Sequence, residues 1–281
     1  MDVDPKAPPF LSQADAKSLP TWRAAYSDRT AAMMAAFSQL AYVPFVDMQT
    51  GSPAGGAKIE KDGGRDALAE HLAGGGFELK EVFNQDDVQA FLAVHPTQFA
   101  VLSFRGTDNF ADWKINLNAG RMAMPDVKGV RIHKGFWDAY MDMNDQIAAA
   151  VDRDVPDFQG LYITGHSLGG ALAQVASAVL ERDNLAACYT FGSPRVATLN
   201  FDRCVKCPHY RIVHQWDLVP GVPAATPWGY LHSGDPRLLE GANPWEALRR
   251  DRDTLTRTLV YLWSLTMWPL TRRLAIVDDH M

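Results

Sequence analysis

The chain has 281 residues, 47% hydrophobic and 21% charged, with a formal net charge of −6. That length and mix suit one large α/β domain rather than two, and the acidic balance argues against a nucleic-acid partner. Three cysteines, Cys188, Cys204 and Cys207, make no disulfide framework.

The N-terminal run from Met1 to Lys6 lacks a basic region followed by an apolar one, so no secretory signal is visible. A cytoplasmic location or export by a non-standard route is the expectation. Residues 1–20 are rich in Pro, Asp and Ala and read as an extended arm of a single domain over 1–281. A helix is predicted from about Thr21, as cap, to Tyr42, before Pro44. A glycine- and proline-rich loop follows from Thr50 to Gly56, and Gly74-Gly75-Gly76 marks another turn.

Three strand-like runs come next: Phe77 to Phe83, which alternates like an edge strand, Val88 to Val94, and Phe99 to Phe104, which is nearly all apolar like a central strand. Val127 to His133 reads as a strand and Phe136 to Val151 as a helix. A strand near Leu161, a helix from Leu168 to about Arg182, and strands at Ala187–Phe191 and Tyr210–His214 follow. Trp228 to Ser233 reads as an extended segment. The run from Leu259 to Leu270 is too short to span a bilayer and is interrupted by Pro269; it reads as a buried or interfacial C-terminal helix. Strands alternating with helices predict an α/β fold with a mostly parallel sheet covered on both faces.

The chemistry concentrates at Gly165-His166-Ser167-Leu168-Gly169, a Gly-x-Ser-x-Gly pattern with an apolar strand before it and an apolar helix after it. In such an elbow the serine sits on a strained turn that lifts its hydroxyl clear of the sheet, and the flanking glycines admit close backbone approach. A serine hydroxyl needs an imidazole base, and the imidazole needs a carboxylate to hold its tautomer. Asp217 follows the strand Tyr210–His214 directly, at what would be a strand's C-terminal end. Two histidines follow it, His232 in the extended segment and His280 on the tail, and residue order leaves both open as the base.

The backbone N–H of Leu168 is one candidate oxyanion donor, and Thr107, in Arg105-Gly106-Thr107, is the other. Asn109 to Leu117 mixes polar and apolar residues, as either a cover over the site or an ordinary surface helix. Cys204, Cys207 and His209 are spaced like part of a metal clip, but no second Cys/His pair follows at finger spacing. We read them as incidental thiols in a loop, and the predicted chemistry requires no cofactor or metal.

These residues resemble the class 3, fungal-type lipase family, over about Phe99 to Gly234. Phe104-Arg105-Gly106-Thr107 is similar to the family's oxyanion strand end, Ile132-His133-Lys134-Gly135-Phe136 to its His-x-Gly-Phe turn, and Gly165 to Ala173 to its elbow. Thr190 to Val196 and Asp217-Leu218-Val219-Pro220 resemble the segments that follow, the latter bearing the acid.

The resemblance implies an α/β-hydrolase fold with Ser167, Asp217 and His280 as catalytic triad, Thr107 and Leu168 in the oxyanion hole, and Asn109–Leu117 at the lid position. It matches Leu231-His232-Ser233-Gly234 to a non-catalytic histidine segment and Asp279-His280 to the base, leaving His232 as fallback. The chain ends sooner after that pair than the family does, and Asp235 to Ile276 departs from its pattern.

The implied activity is hydrolysis of acylglycerol esters through an acyl-enzyme. The alternatives are a phospholipase A or monoacylglycerol lipase acting on membrane lipids, and a non-catalytic lipid-binding module. The expected partner is a lipid ester, with no transmembrane segment.

Overall fold

The computed structural model describes residues 24–43, 64–85, 88–106, 120–214 and 217–239. The first described helix, α1 (Asp28–Leu40), starts later than its sequence suggests. Ser27, not Thr21, caps it, accepting the Thr30 N–H at 3.1 Å. Just before it Ala24 is tied to the sheet: its N–H donates to the Ala186 carbonyl, and its carbonyl accepts from the Tyr210 hydroxyl.

A second helix, α2 (Arg65–Gly74), is not apparent from the sequence. It buries only Leu68 and Leu72, one turn apart, and ends in the glycine run read as a turn. Its apolar stripe is too narrow to give a strong periodic signal.

Strands β1 (Glu78–Gln85), β2 (Val88–Val94) and β3 (Phe99–Phe104) form an antiparallel meander. Every residue of β2 and β3 is buried, whereas β1 lies at the sheet edge with most of its residues half-buried. The strand expected at Val127–His133 survives only as β5 (Arg131–His133), which pairs with β4 (Arg121–Ala123) in a separate two-stranded hairpin. Asp126 and Gly129 take positive φ angles of 58° and 82° and turn the chain there.

The chain then alternates α3 (Lys134–Asp154), β6 (Gly160–His166), α4 (Leu168–Val179), β7 (Leu185–Phe191), β8 (His209–His214) and β9 (Asp235–Leu239). The seven-stranded sheet runs β1-β2-β3-β6-β7-β8-β9, and every pair from β3 to β9 is parallel. One face is covered by α3 and α4 through residues such as Tyr140, Ile147, Leu172 and Val175. The other is covered by α1 and α2 through Met34, Phe37, Leu68 and Leu72. The mostly parallel α/β sheet expected from the sequence is the one observed.

The last strand corrects the sequence reading. Trp228–Ser233 contributes only an isolated bridge between Leu231 and Ala197, and the pairing strand begins at Asp235. Pro236 disguises β9, but at an edge the missing N–H faces no neighbour and is tolerated. Among the described residues no helix is long and apolar enough to cross a membrane. The Leu259–Leu270 run lies outside the described residues.

Candidate active site

Because β6, β7 and β8 are parallel, their C-terminal ends share one edge of the sheet, where folds of this class gather their chemistry. At that edge β6 gives way to α4 in a single residue. Ser167 has φ 56° and ψ −126°, a conformation rare for a residue with a side chain. Its N–H donates to the Phe191 carbonyl at 2.9 Å, pinning the turn to the end of β7.

The flanking glycines have a steric explanation. A Cβ on Gly165 would lie 2.3 Å from the carbonyl carbon and oxygen of Gly169, and one on Gly169 would lie 2.3 Å from the Phe104 carbonyl oxygen. The helix therefore starts in contact with both the strand it leaves and the end of β3.

That contact brings the oxyanion-side loop to the serine. A Cβ built on Gly106 would lie 3.2 Å from the Ser167 Cβ and 2.3 Å from the Tyr42 hydroxyl. Leu168 is the first residue of α4, where the N–H has no carbonyl one turn back to bond and the helix dipole favours negative charge. Thr107 and the Asn109–Leu117 segment lie outside the described residues.

Asp217 follows β8 at the same sheet edge as Ser167 and is 5% exposed. Its Oδ1 accepts the Val219 N–H at 2.9 Å, so the carboxylate is held by the 3-10 turn Val219–Gly221 that follows it. Of the two candidate bases, His280 lies outside the described residues. His232 is half-buried, and its Nε2 lies 2.8 Å from the Pro220 carbonyl. Among the described residues, neither Asp217 nor Ser167 bonds to it. Desolvation, followed by the guanidinium groups of Arg211 and Arg195, holds its pKa well below the ordinary histidine value, so its ring is neutral.

Several further residues support the site. The Tyr42 hydroxyl lies 2.8 Å from the Nδ1 of His166, the residue before the nucleophile, and the Arg105 guanidinium lies 5.6 Å from the centre of the Tyr42 ring. Arg105 also donates to the Gln89 side chain at 2.8 Å. His133, in the His-x-Gly-Phe turn, is a helix cap: its Nδ1 accepts the Phe136 N–H at 3.3 Å and its ring stacks on Phe136. Ser103 donates to the Phe37 carbonyl at 3.0 Å and the Ser38 hydroxyl lies 2.8 Å from that of Thr164, tying α1 to β3 and β6.

The Cys-x-x-Cys segment takes a structural part. Cys188, Cys204 and Cys207 are buried thiols, and none is in a disulfide among the described residues. Both ring nitrogens of His209 are engaged, Nε2 with Thr190 at 3.0 Å and Nδ1 with Ser233 at 3.3 Å. Burial, reinforced by Arg211, drives the His209 pKa down to about 3.

A strained serine between a parallel strand and a helix, with a buried carboxylate after a later strand of the same edge, defines an α/β-hydrolase fold. Residues 101–226 match the family described as lipase (class 3). It is 38% identical over 148 residues to secreted mono- and diacylglycerol lipase 1 of Fusarium solani, covering 50% of this chain and 44% of that protein. The chain thus spans less than half the length of that relative.

Among solved structures it resembles the mono- and diacylglycerol lipase of Aspergillus oryzae, at 27% identity and a TM-score of 0.56 over 66% of this chain and 74% of that one. It also resembles a triacylglycerol lipase described as having a serine-protease triad at its catalytic centre, at 28% identity and a TM-score of 0.55 over 60% of this chain and 69% of that one.

Proposed function

We propose that this chain is a serine carboxylester hydrolase that cleaves acylglycerol esters. The observation that carries the reading is the strained Ser167 at the elbow, beside the Gly106 loop and at the same sheet edge as the buried Asp217. In this reading the Ser167 hydroxyl attacks the ester carbonyl while His280 takes its proton. The Thr107 and Leu168 N–H groups stabilise the oxyanion, and Asp217 orients and stabilises the imidazolium. The tetrahedral adduct collapses to an acyl-serine as His280 returns the proton to the leaving alcohol. Water, deprotonated by the same imidazole, then releases the fatty acid and regenerates Ser167. Each step balances with side chains and water alone.

The test is hydrolysis of p-nitrophenyl esters from acetyl to palmitoyl by wild type, Ser167→Ala, His280→Ala and His232→Ala. Ser167→Ala is expected to be inactive and unlabelled by a fluorophosphonate, and undiminished turnover by it sinks the reading. Loss in His280→Ala supports that histidine as base. Full activity there, with a dead and unlabelled His232→Ala, moves the base to the fallback position.

A second reading has its own support: two of the relatives above are described as acting on mono- and diacylglycerols. Comparing fatty-acid release from mono-, di- and triacylglycerol emulsions and from phosphatidylcholine separates a partial-glyceride lipase, a triacylglycerol lipase and a phospholipase.

A further inference from the structure

A buried chain of polar groups joins the nucleophile's helix to the segment that holds His232. Gln174 lies on α4, seven residues beyond Ser167, and is 2% exposed. Its amide nitrogen donates to the Ser193 hydroxyl at 2.8 Å, and its amide oxygen accepts from the Ser233 hydroxyl at 3.0 Å. Ser193 in turn donates to the Pro194 carbonyl at 3.2 Å.

The proton on Ser233 is thereby committed, so the contact with His209 at 3.3 Å requires the His209 Nδ1 to donate. In a neutral ring the Nε2 of His209 is then the acceptor, and Thr190 donates to it at 3.0 Å. Every proton in the chain has one place to go. The start of β8, the turn after β7 and the residues before β9 are thus bolted to α4.

His232 sits between two fixed neighbours. On one side the Leu231 N–H donates to the Ala197 carbonyl at 2.9 Å. On the other, Ser233 is held by Gln174 and the Gly234 N–H donates to Asp202 at 2.8 Å. From this anchored position the His232 ring meets the Pro220 carbonyl at 2.8 Å. A carbonyl oxygen only accepts, so Nε2 carries the proton. Pro220 lies in the same short turn whose Val219 N–H bonds the Asp217 carboxylate at 2.9 Å. Arg195, donating to the Pro223 carbonyl at 3.0 Å and also to that of Gly221, holds the far side of the turn.

We infer that His232 is a positioning residue for Asp217: as a neutral N–H donor braced against α4, it fixes the turn that presents the carboxylate. The inference rests on the reading of Asp217 as the acid of a hydrolase. It gives the second histidine a role that needs no proton transfer. A shift of the carboxylate by a fraction of an ångström misorients the base, and misplacement on the ångström scale costs up to about a hundredfold in rate.

The test measures kcat and KM on p-nitrophenyl butyrate for His232→Ala and His232→Gln, with active sites counted by fluorophosphonate titration so that misfolded protein drops out. His232→Ala is expected to lower kcat per titrated site by about tenfold to a hundredfold, with KM little changed. His232→Gln, whose amide supplies the lost N–H, is expected to recover most of the rate. In an Asp217→Asn background, His232→Ala is expected to cause no further loss. If His232→Ala does not fold, His232→Asn, whose shorter amide falls short of Pro220, takes its place.

An unchanged kcat per site in the first variant overturns the inference. So does a His232→Gln variant as defective as His232→Ala, or a full further loss in the Asp217→Asn background. If Asp217→Asn alone keeps full activity, the hydrolase reading of that carboxylate fails instead, and the two failures are distinct.

Discussion

The Tyr42 hydroxyl, just past the end of α1, lies 2.8 Å from Nδ1 of His166, the residue that precedes the candidate nucleophile. The contact joins the helix on one face of the sheet to the elbow at its edge. A Cβ on Gly106 would fall 2.3 Å from the same hydroxyl, so Tyr42 is wedged between the oxyanion-side loop and the elbow. Tyr42→Phe removes this hydrogen bond while keeping the ring beneath Arg105. The expected loss is about 1 kcal/mol of stability, the usual net value of one such bond. Urea unfolding of the two proteins measures it. A midpoint indistinguishable from wild type means that the bond adds nothing to the fold.

Close approach at the elbow makes a sharper prediction. A methyl group on Gly169 meets the Phe104 carbonyl oxygen at 2.3 Å, and both partners are backbone with little room to move. Gly169→Ala is expected to destabilise the protein by about 3 kcal/mol or more, at or beyond the upper end for overpacking. Gly221, where an added Cβ meets nothing within 4 Å, is the control. There an alanine is expected to shift stability by less than about 1 kcal/mol. Equal unfolding midpoints for the two variants are incompatible with the packing described.

The elbow was legible in the sequence because its chemistry and its steric needs coincide: the glycines and the serine are dictated by local geometry, which a short motif carries intact. Asp217 was legible for a related reason, since a carboxylate directly after an apolar strand lands at a strand end. The edge strand β9 was not, because Pro236 lowers its strand signal while the edge tolerates the missing N–H. Nor was α2, whose buried stripe is only Leu68 and Leu72.

The support for the site was hidden more deeply. Gln174, His209 and Ser233 are far apart in sequence and meet because β8 lies beside β7, against which α4 packs, and β9 lies beside β8. Nothing local in the chain marks a glutamine in an apolar helix as the centre of a hydrogen-bonded chain.

Burial also sets the behaviour of the thiols. Burial raises the Cys188 thiol pKa well above its ordinary value, nearby Cys207 adds to it, and a hydrogen bond with Ser177 only partly offsets the shift. Burial likewise raises Cys204, with Asp202 contributing. Thiolate is the reactive form, so the native protein is expected to react slowly with Ellman's reagent at about pH 8. In denaturant, without reductant, the chain is expected to release the equivalent of all 3 cysteines. Fast labelling of the folded protein contradicts the buried thiol cluster. Only one reactive thiol after denaturation means that a pair is oxidised.

The buried histidines give stability a defined pH dependence. In the folded state the His209 pKa is about 3, against an ordinary value of 6.5, because burial and Arg211 disfavour the charged ring. Above pH about 6.5 the ring is neutral in both folded and unfolded chains and contributes no slope. Between about 6.5 and 3 the unfolded chain binds a proton that the folded one does not, so stability falls as pH falls. The slope approaches about 1.4 kcal/mol per pH unit for each such histidine. His232, also held well below the ordinary value, acts in the same direction. Urea midpoints from about pH 7 down to about pH 5 are therefore expected to drop, and His209→Gln, which keeps an amide where the ring bonds Thr190 and Ser233 but does not titrate, is expected to show a shallower drop. If the wild-type midpoint is flat across that window, the histidines are not buried neutral. If His209→Gln falls as steeply as wild type, the slope originates elsewhere.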